Sequence, residues 1–157
     1  MFNSKQFKAK EGLVVGFTGT QKGMTLYQKK ELVNILNSLR PYPYYPYSTQ
    51  FHHGDCIGAD KEAESIARGR LLSTWAHPAN NVSEYKKAHC PSHNVLLSRP
   101  ALERNHDIVN AAGIMIACPG EYGEIIRSGT WATIRYARKC KKPLIIIYPN
   151  GKWEVNS

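Results

Sequence analysis

Three short segments of the 157-residue chain set small, hydroxylated and ionisable residues side by side in the way an anion site requires: Thr18-Gly19-Thr20, Gly54-Asp55-Cys56-Ile57-Gly58-Ala59-Asp60, and Pro119-Gly120 running on to Arg127-Ser128-Gly129-Thr130. Each follows an apolar run and opens a helical pattern. Each therefore offers backbone N–H groups and the positive end of a helix dipole, with no bulky side chain in the path of an anion. The chemistry this implies is phosphate binding, and Arg127 with Ser128-Gly129-Thr130 is the most complete cradle. Arg104, next to Asn105, offers a guanidinium to a ligand phosphate or, equally, to Glu103 or Asp107. Glu121, Glu124 and Asp55 are the carboxylates that could stabilise a cationic sugar centre or activate water in a glycosidic cleavage. Asp60 stands either in the site or as the N-cap of its own helix.

His52, His53, Asp55 and Cys56, and separately His89, Cys90 and His93, are residue types that bind zinc. Neighbouring residues on a strand point to opposite faces, which keeps His52 and His53 from sharing an ion, and the second cluster lacks an evident fourth ligand. No metal site and no cofactor is expected. Trp131 repeats at helical spacing with Ile134 and reads as core, not as a stacking platform.

The elements that carry these residues alternate. Residues 13–18 (LVVGFT), 49–53, 72–76, 113–118 (GIMIAC) and 144–148 (LIIIY) read as buried strands. Helical patterns run from an N-cap at Thr25 to the stop at Pro41, from the second loop to Gly69, over 101–112 and over 127–140. Residues 41–48 (PYPYYPYS) read as a stiff packed surface loop, with a ligand wall or an oligomer contact as alternatives, and 82–100 as a helix fragment and loop. Strands apolar on both faces, alternating with helices, predict an α/β fold: an open, mainly parallel sheet of about five strands with helices on both faces. Such sheets bind ligands outside the carboxyl ends of their strands, where the three loops fall.

One domain over 1–157 is expected, with 1–11 as a flexible N-terminal segment. No apolar run approaches the ~20 residues of a membrane span, and the start lacks an apolar signal core. The four cysteines form no CxxC pair, which fits a reducing cytoplasm. The formal charge of +9 attracts anions without saying which. Its two basic clusters, 5–10 and 135–142, read equally as solvated faces.

The segments GFTGTQKG, HHGDCIGAD, ERNHDIVNAAGIMIACPG, RSGTWATIRYARK and KPLIIIYPNG together resemble the SLOG superfamily, the Rossmann-like group that includes the cytokinin-activating LOG proteins, the YpsA-related proteins and the sheet domain of DprA. HGDCIGAD is similar to the HGGARGAD-type loop of the YpsA-related branch. Arg104-Asn105, an apolar strand and Pro119-Gly120 are similar to the superfamily's middle signature. The resemblance implies a nucleotide or nucleotide-derived ligand at the strand ends, and association into homo-oligomers. The LOG enzymes release a base from a nucleoside monophosphate and carry a PGGxGTxxE-like loop. Here Glu121 replaces the third residue of that loop, Glu124 its Thr, and Ile126 and Arg127 stand at its acidic positions. The expectation is therefore a binder acting as sensor or sequestering protein, ahead of an N-glycosidic hydrolase. Third comes a single-strand nucleic-acid binder, which the charge and the DprA likeness suggest.

Overall fold

The computed structural model describes residues 12–40 and 43–156. The expected flexible segment 1–11 and the first two residues of the tyrosine-proline segment lie outside the described residues. The elements run β1 (Val14–Gly19), α1 (Leu26–Leu39), β2 (Gln50–His53), α2 (Ala59–Gly69), β3 (Ser73–Ala76), a 3-10 turn (Glu84–Lys86), β4 (Asn94–Val95), α3 (Ala101–Ala111), β5 (Ile114–Cys118), α4 (Gly129–Lys139), β6 (Leu144–Ile147) and β7 (Trp153–Asn156). They build one sheet in the order β4-β3-β2-β1-β5-β6-β7, parallel throughout except for β7.

The central strands β1, β5 and β6 are largely apolar on both faces because both faces are covered, whereas β2 and β3 also bury His52, His53 and Thr74. Ile114, Ile116 and Cys118 join Leu32, Ile35 and Leu36 of α1 and Ala63 and Ala67 of α2 in one core. Met115 and Ala117, the alternate residues of the same strand, join Ile108 and Val109 of α3 and Trp131, Ile134 and Ala137 of α4 in the other. Trp131 is core, as its spacing indicates.

The sheet has seven strands, not about five. β4 is two residues long, too short for any periodicity, and is pinned to β3 by reciprocal bonds: Thr74 N–H to His93 Nδ1 at 3.0 Å and His93 N–H to Thr74 Oγ1 at 3.1 Å. β7 returns on β6 after Pro149-Asn150-Gly151, where Gly151 takes φ 84° and donates to Tyr148 O at 2.8 Å.

The helix start at Thr25 is a full capping box: Thr25 Oγ1 accepts from Gln28 N–H at 3.1 Å, and Gln28 Oε1 accepts from Thr25 N–H at 3.0 Å. Gln28 does more. Fully buried, its Nε2 donates to Pro119 O at 2.8 Å and Ile147 O at 2.9 Å, joining α1 to the ends of β5 and β6. Gln28→Leu keeps the volume and strands both carbonyls, so it lowers the unfolding free energy by about 2–4 kcal/mol. Urea unfolding checks this, and a midpoint unchanged from the parent contradicts it.

Candidate functional site

Strand order reverses at β1 and β5, since the chain leaves β1 toward β2 and later returns to β1's other side. The crevice above such a switch point is where this fold class binds ligands. A cleft of about 450 Å³ occupies it here, a volume suited to a small ligand. Its lining comes from four directions. Thr18, Gly19, Thr20, Gln21 and Lys22 follow β1, and Gly54, Cys56 and Asp60 follow β2. Arg104, Asn105 and Ile108 come from α3, and Arg127 through Thr130 from the start of α4. Glu121 and Lys86 stand among them.

Backbone contact between the first two loops sets this geometry. Thr20 N–H donates to Cys118 O at 3.0 Å, tying the β1 loop to the end of β5, while Thr20 O accepts from Gly23 N–H at 3.1 Å and from Ala59 N–H at 3.0 Å. Gly58 turns at φ 80° directly beneath Thr20 and Gln21, where a Cβ would meet Thr20 O at 2.7 Å and Gln21 O closer still. A Cβ on Gly54 would meet Arg104 Nη1 at 2.7 Å. These glycines are there for close approach of backbone to neighbour.

Arg104 is buried and its guanidinium holds loops together. Nη1 donates to Gly54 O and, at 3.0 Å, to His77 O, Nε donates to Asn105 Oδ1 at 2.8 Å, and Nη2 reaches the Cys56 sulfur at 3.8 Å. Its sequence neighbours Glu103 and Asp107 pair with Arg99 instead, at 3.0 and 2.7 Å. Asp60 is not the N-cap of α2. That position is Gly58, and Asp60 lies inside the first turn, its Oδ2 accepting from Gly54 N–H at 3.1 Å and Cys56 N–H at 3.2 Å. Burial raises its carboxyl above the ordinary range against the pull of His53 and Arg104. Burial, reinforced by Asp60, pushes the Cys56 thiol up to about 11, so Cys56 enters the site as a neutral thiol and not as a nucleophile.

At α4, Ser128 is the N-cap and its Oγ accepts from Trp131 N–H at 3.2 Å, which leaves the N–H groups of Gly129 and Thr130 without intrahelical acceptors at the cleft. Four cationic side chains, Lys22, Lys86, Arg104 and Arg127, line the cleft against two carboxyls, Asp60 and Glu121. Such a lining attracts an anion.

The other residues singled out from sequence lie beside the cleft lining. Asp55 points away from it, its Oδ1 accepting from Cys90 N–H at 2.8 Å. Ala59 packs beneath Gly19, whose Cβ would stand 2.5 Å from its own. Pro119 holds Gln28 through its carbonyl, and Gly120 rests on Thr20. Glu124 is exposed and pairs with Arg135 at 2.9 Å, whereas Glu121 stays in the lining and accepts from Trp131 Nε1 at 3.0 Å. Sequence reasoning did not single out Gln21, Lys22 or Lys86, which the cleft lining includes. Lys22 was legible as part of the first glycine-rich turn. Lys86 was not, because it arrives through a long-range pairing, Ile57 N–H to Lys86 O at 3.0 Å. Away from the cleft, His53, Asp55 and Cys90 bring one ligand atom each within 4.8 Å of the others, uniting two members of the first cluster with one of the second, which sequence alone had set apart.

No family model and no curated protein matches the chain. Solved structures do. The X-ray structure of TM1055, a structural genomics target, superposes with a TM-score of 0.57 at 15% identity, covering 84% of this chain and 72% of that one. A molybdenum cofactor binding protein from the phototrophic bacterium Rippkaea orientalis superposes with a TM-score of 0.63 at 17% identity, covering 89% of this chain and 78% of that one. Likeness at this identity is likeness of fold. The chain is a Rossmann-like α/β protein with a mainly parallel sheet.

Proposed function

We propose that the protein is SLOG-like and binds a nucleotide or nucleotide-derived ligand in the cleft above β1 and β5, as a sensor or sequestering protein. The observation that carries this is the cradle at α4: the Gly129 and Thr130 N–H groups and Arg127, with Lys22 in the same lining. The phosphate lies on α4, and the nucleoside extends toward Gly54, Asn105 and Lys86. By its title the Rippkaea orientalis neighbour binds a cofactor, which supports the use of this fold for small-molecule binding. Self-association and a cytoplasmic location belong to the same reading. No helix among the described residues is long and apolar enough to cross a membrane, and no cysteine is in a disulfide.

Native mass spectrometry of the purified chain with nucleoside monophosphates, ADP-ribose and cyclic nucleotides tests this, and also counts subunits. One intact ligand per chain is expected. Lys22→Ala and Arg127→Ala each weaken it roughly 10- to 100-fold, the loss of one charge-assisted hydrogen bond. Retention of none of the panel overturns the reading. A hydrolase is the second reading, because Glu121 stays in the lining. It requires free base to accumulate in the same mixtures and to cease in Glu121→Gln.

A further inference from the structure

We propose that His53, Asp55 and Cys90 form a binding site for one zinc ion per chain, separate from the nucleotide cleft and independent of that reading. His53 ends β2, Asp55 follows in a left-handed backbone conformation at φ 56°, and Cys90 comes from the segment after the 3-10 turn. All three are buried, and an imidazole nitrogen, a carboxylate oxygen and the thiol sulfur lie within 4.8 Å of one another. Nitrogen, oxygen and thiolate donors together are a set that zinc accepts. Around a tetrahedral zinc such atoms stand roughly 3.3–3.6 Å apart. From separations of at most 4.8 Å the cluster closes by about 1.5 Å or less, within the reach of side-chain rotation.

One further observation points to a cation. Glu64, 2% exposed, holds His53 Nε2 at 3.0 Å and the Ser92 hydroxyl through Oε1, while Oε2 is buried without a hydrogen-bond partner. A buried carboxylate with an orphaned oxygen is costly, and a nearby divalent cation compensates it. Glu64 and Cys90 also line one cavity of about 410 Å³, with Lys61 and Arg68 and without His53 or Asp55, so an ion would enter past Cys90. The Glu64–His53 bond then has the form found behind metal-bound histidines, with a carboxylate accepting one ring N–H and fixing the other nitrogen toward the ion. That nitrogen is Nδ1, which now accepts the Asp55 N–H at 3.0 Å and would exchange it for the metal. The zinc–sulfur bond forms as the Cys90 thiol proton leaves to solvent, with no change of oxidation state.

The test is titration of the chelator-stripped full chain with cobalt(II), then zinc. One cobalt per chain is expected, with a near-ultraviolet sulfur-to-cobalt charge-transfer band that zinc abolishes. Cys90→Ser removes the band, and Asp55→Asn or His53→Ala weakens uptake by more than ~100-fold, beyond the loss typical of an outer-shell partner. Cys140→Ser, at an exposed position, changes neither. Because substitution of a buried ligand can unfold the chain, circular dichroism accompanies each variant, and the parent alone gives a second readout: zinc raises its thermal midpoint. A parent that takes up no cobalt and gains no stability with zinc overturns the site, as does a band that survives in folded Cys90→Ser.

Discussion

Gly58→Ala lowers the unfolding free energy by about 3–5 kcal/mol, the sum of backbone strain and overpacking at one residue. Gly58 sits at φ 80°, ψ −126°, a conformation that L side chains rarely adopt. A methyl group there also meets the backbone of Thr20 and Gln21, which cannot swing aside as a side chain would, because Thr20 is tied to Cys118 O and Ala59 N–H. Relief requires the β1 loop to lift off the start of α2. The same movement shifts Lys22 relative to α4, so ADP-ribose binding, if the cleft takes it, falls with stability. Gly69→Ala is the control. Gly69 has open space around it and no positive φ, and alanine in that last helical position leaves stability unchanged or raises it by up to about 1 kcal/mol. Urea unfolding of the two variants side by side decides the matter, since equal midpoints would remove the close approach of the two loops.

What the residue pattern disclosed was what depends on neighbours in the chain. β1, β5 and β6 are apolar runs because helices cover both faces of the sheet, and Thr25 starts α1 through local chemistry, its capping box with Gln28. β7 was signalled by Asn150-Gly151 and overlooked, whereas β4 depends on pairing with β3 across a long connection, with Thr74 and His93 bonded beside it, which no local pattern encodes. The site divides in the same way. The three loops do gather at one sheet edge, yet Gly58 and Ala59 fit the loops together and do not line the cleft. Asp60, whose position in the chain suits a cap, folds its carboxylate back onto Gly54 and Cys56 because the N-cap had already fallen to Gly58. At the proposed metal site, the sequence argument against a shared ion is that His52 and His53 face opposite ways. That argument separates the histidines from each other but says nothing of Cys90, which the fold delivers to the His53 side.

The opposite face of β2 carries the second large effect. His52 is buried, stacked on Trp75 with centroids 5.3 Å apart, and its Nε2–H donates to Gln50 Oε1 at 2.8 Å. Its Nδ1 must then accept, and the donor is His77 Nε2–H at 2.8 Å. Both rings are neutral in this arrangement: protonating His52 at Nδ1 puts two donors face to face, and protonating His77 places a charge on a buried ring. Burial first, then the charges of His77 and His53, lowers His52 to about 3. Burial lowers His77 to about 4, with His53 and Arg104 adding to it and Asp107 opposing. Unfolded histidines take up protons as pH falls through about 6.5 while the folded pair does not, so the unfolded state binds more protons between that pH and about 4. Stability is therefore complete above pH 6.5 and declines as pH falls, by about 3–4 kcal/mol from pH 7 to pH 5 for the two rings together. Glu64, held below its usual range by bonds from His53 and Ser92 that outweigh burial, adds a loss only at lower pH, and Asp60, raised by burial, acts in the opposite sense. Both remain in His52→Gln/His77→Gln, whose amides can keep one hydrogen bond but do not titrate. The parent minus this double variant isolates the histidines. Urea unfolding at pH 7, 6 and 5 should show the parent falling steeply and the variant nearly flat, and parallel slopes would mean that the pair accepts protons while folded.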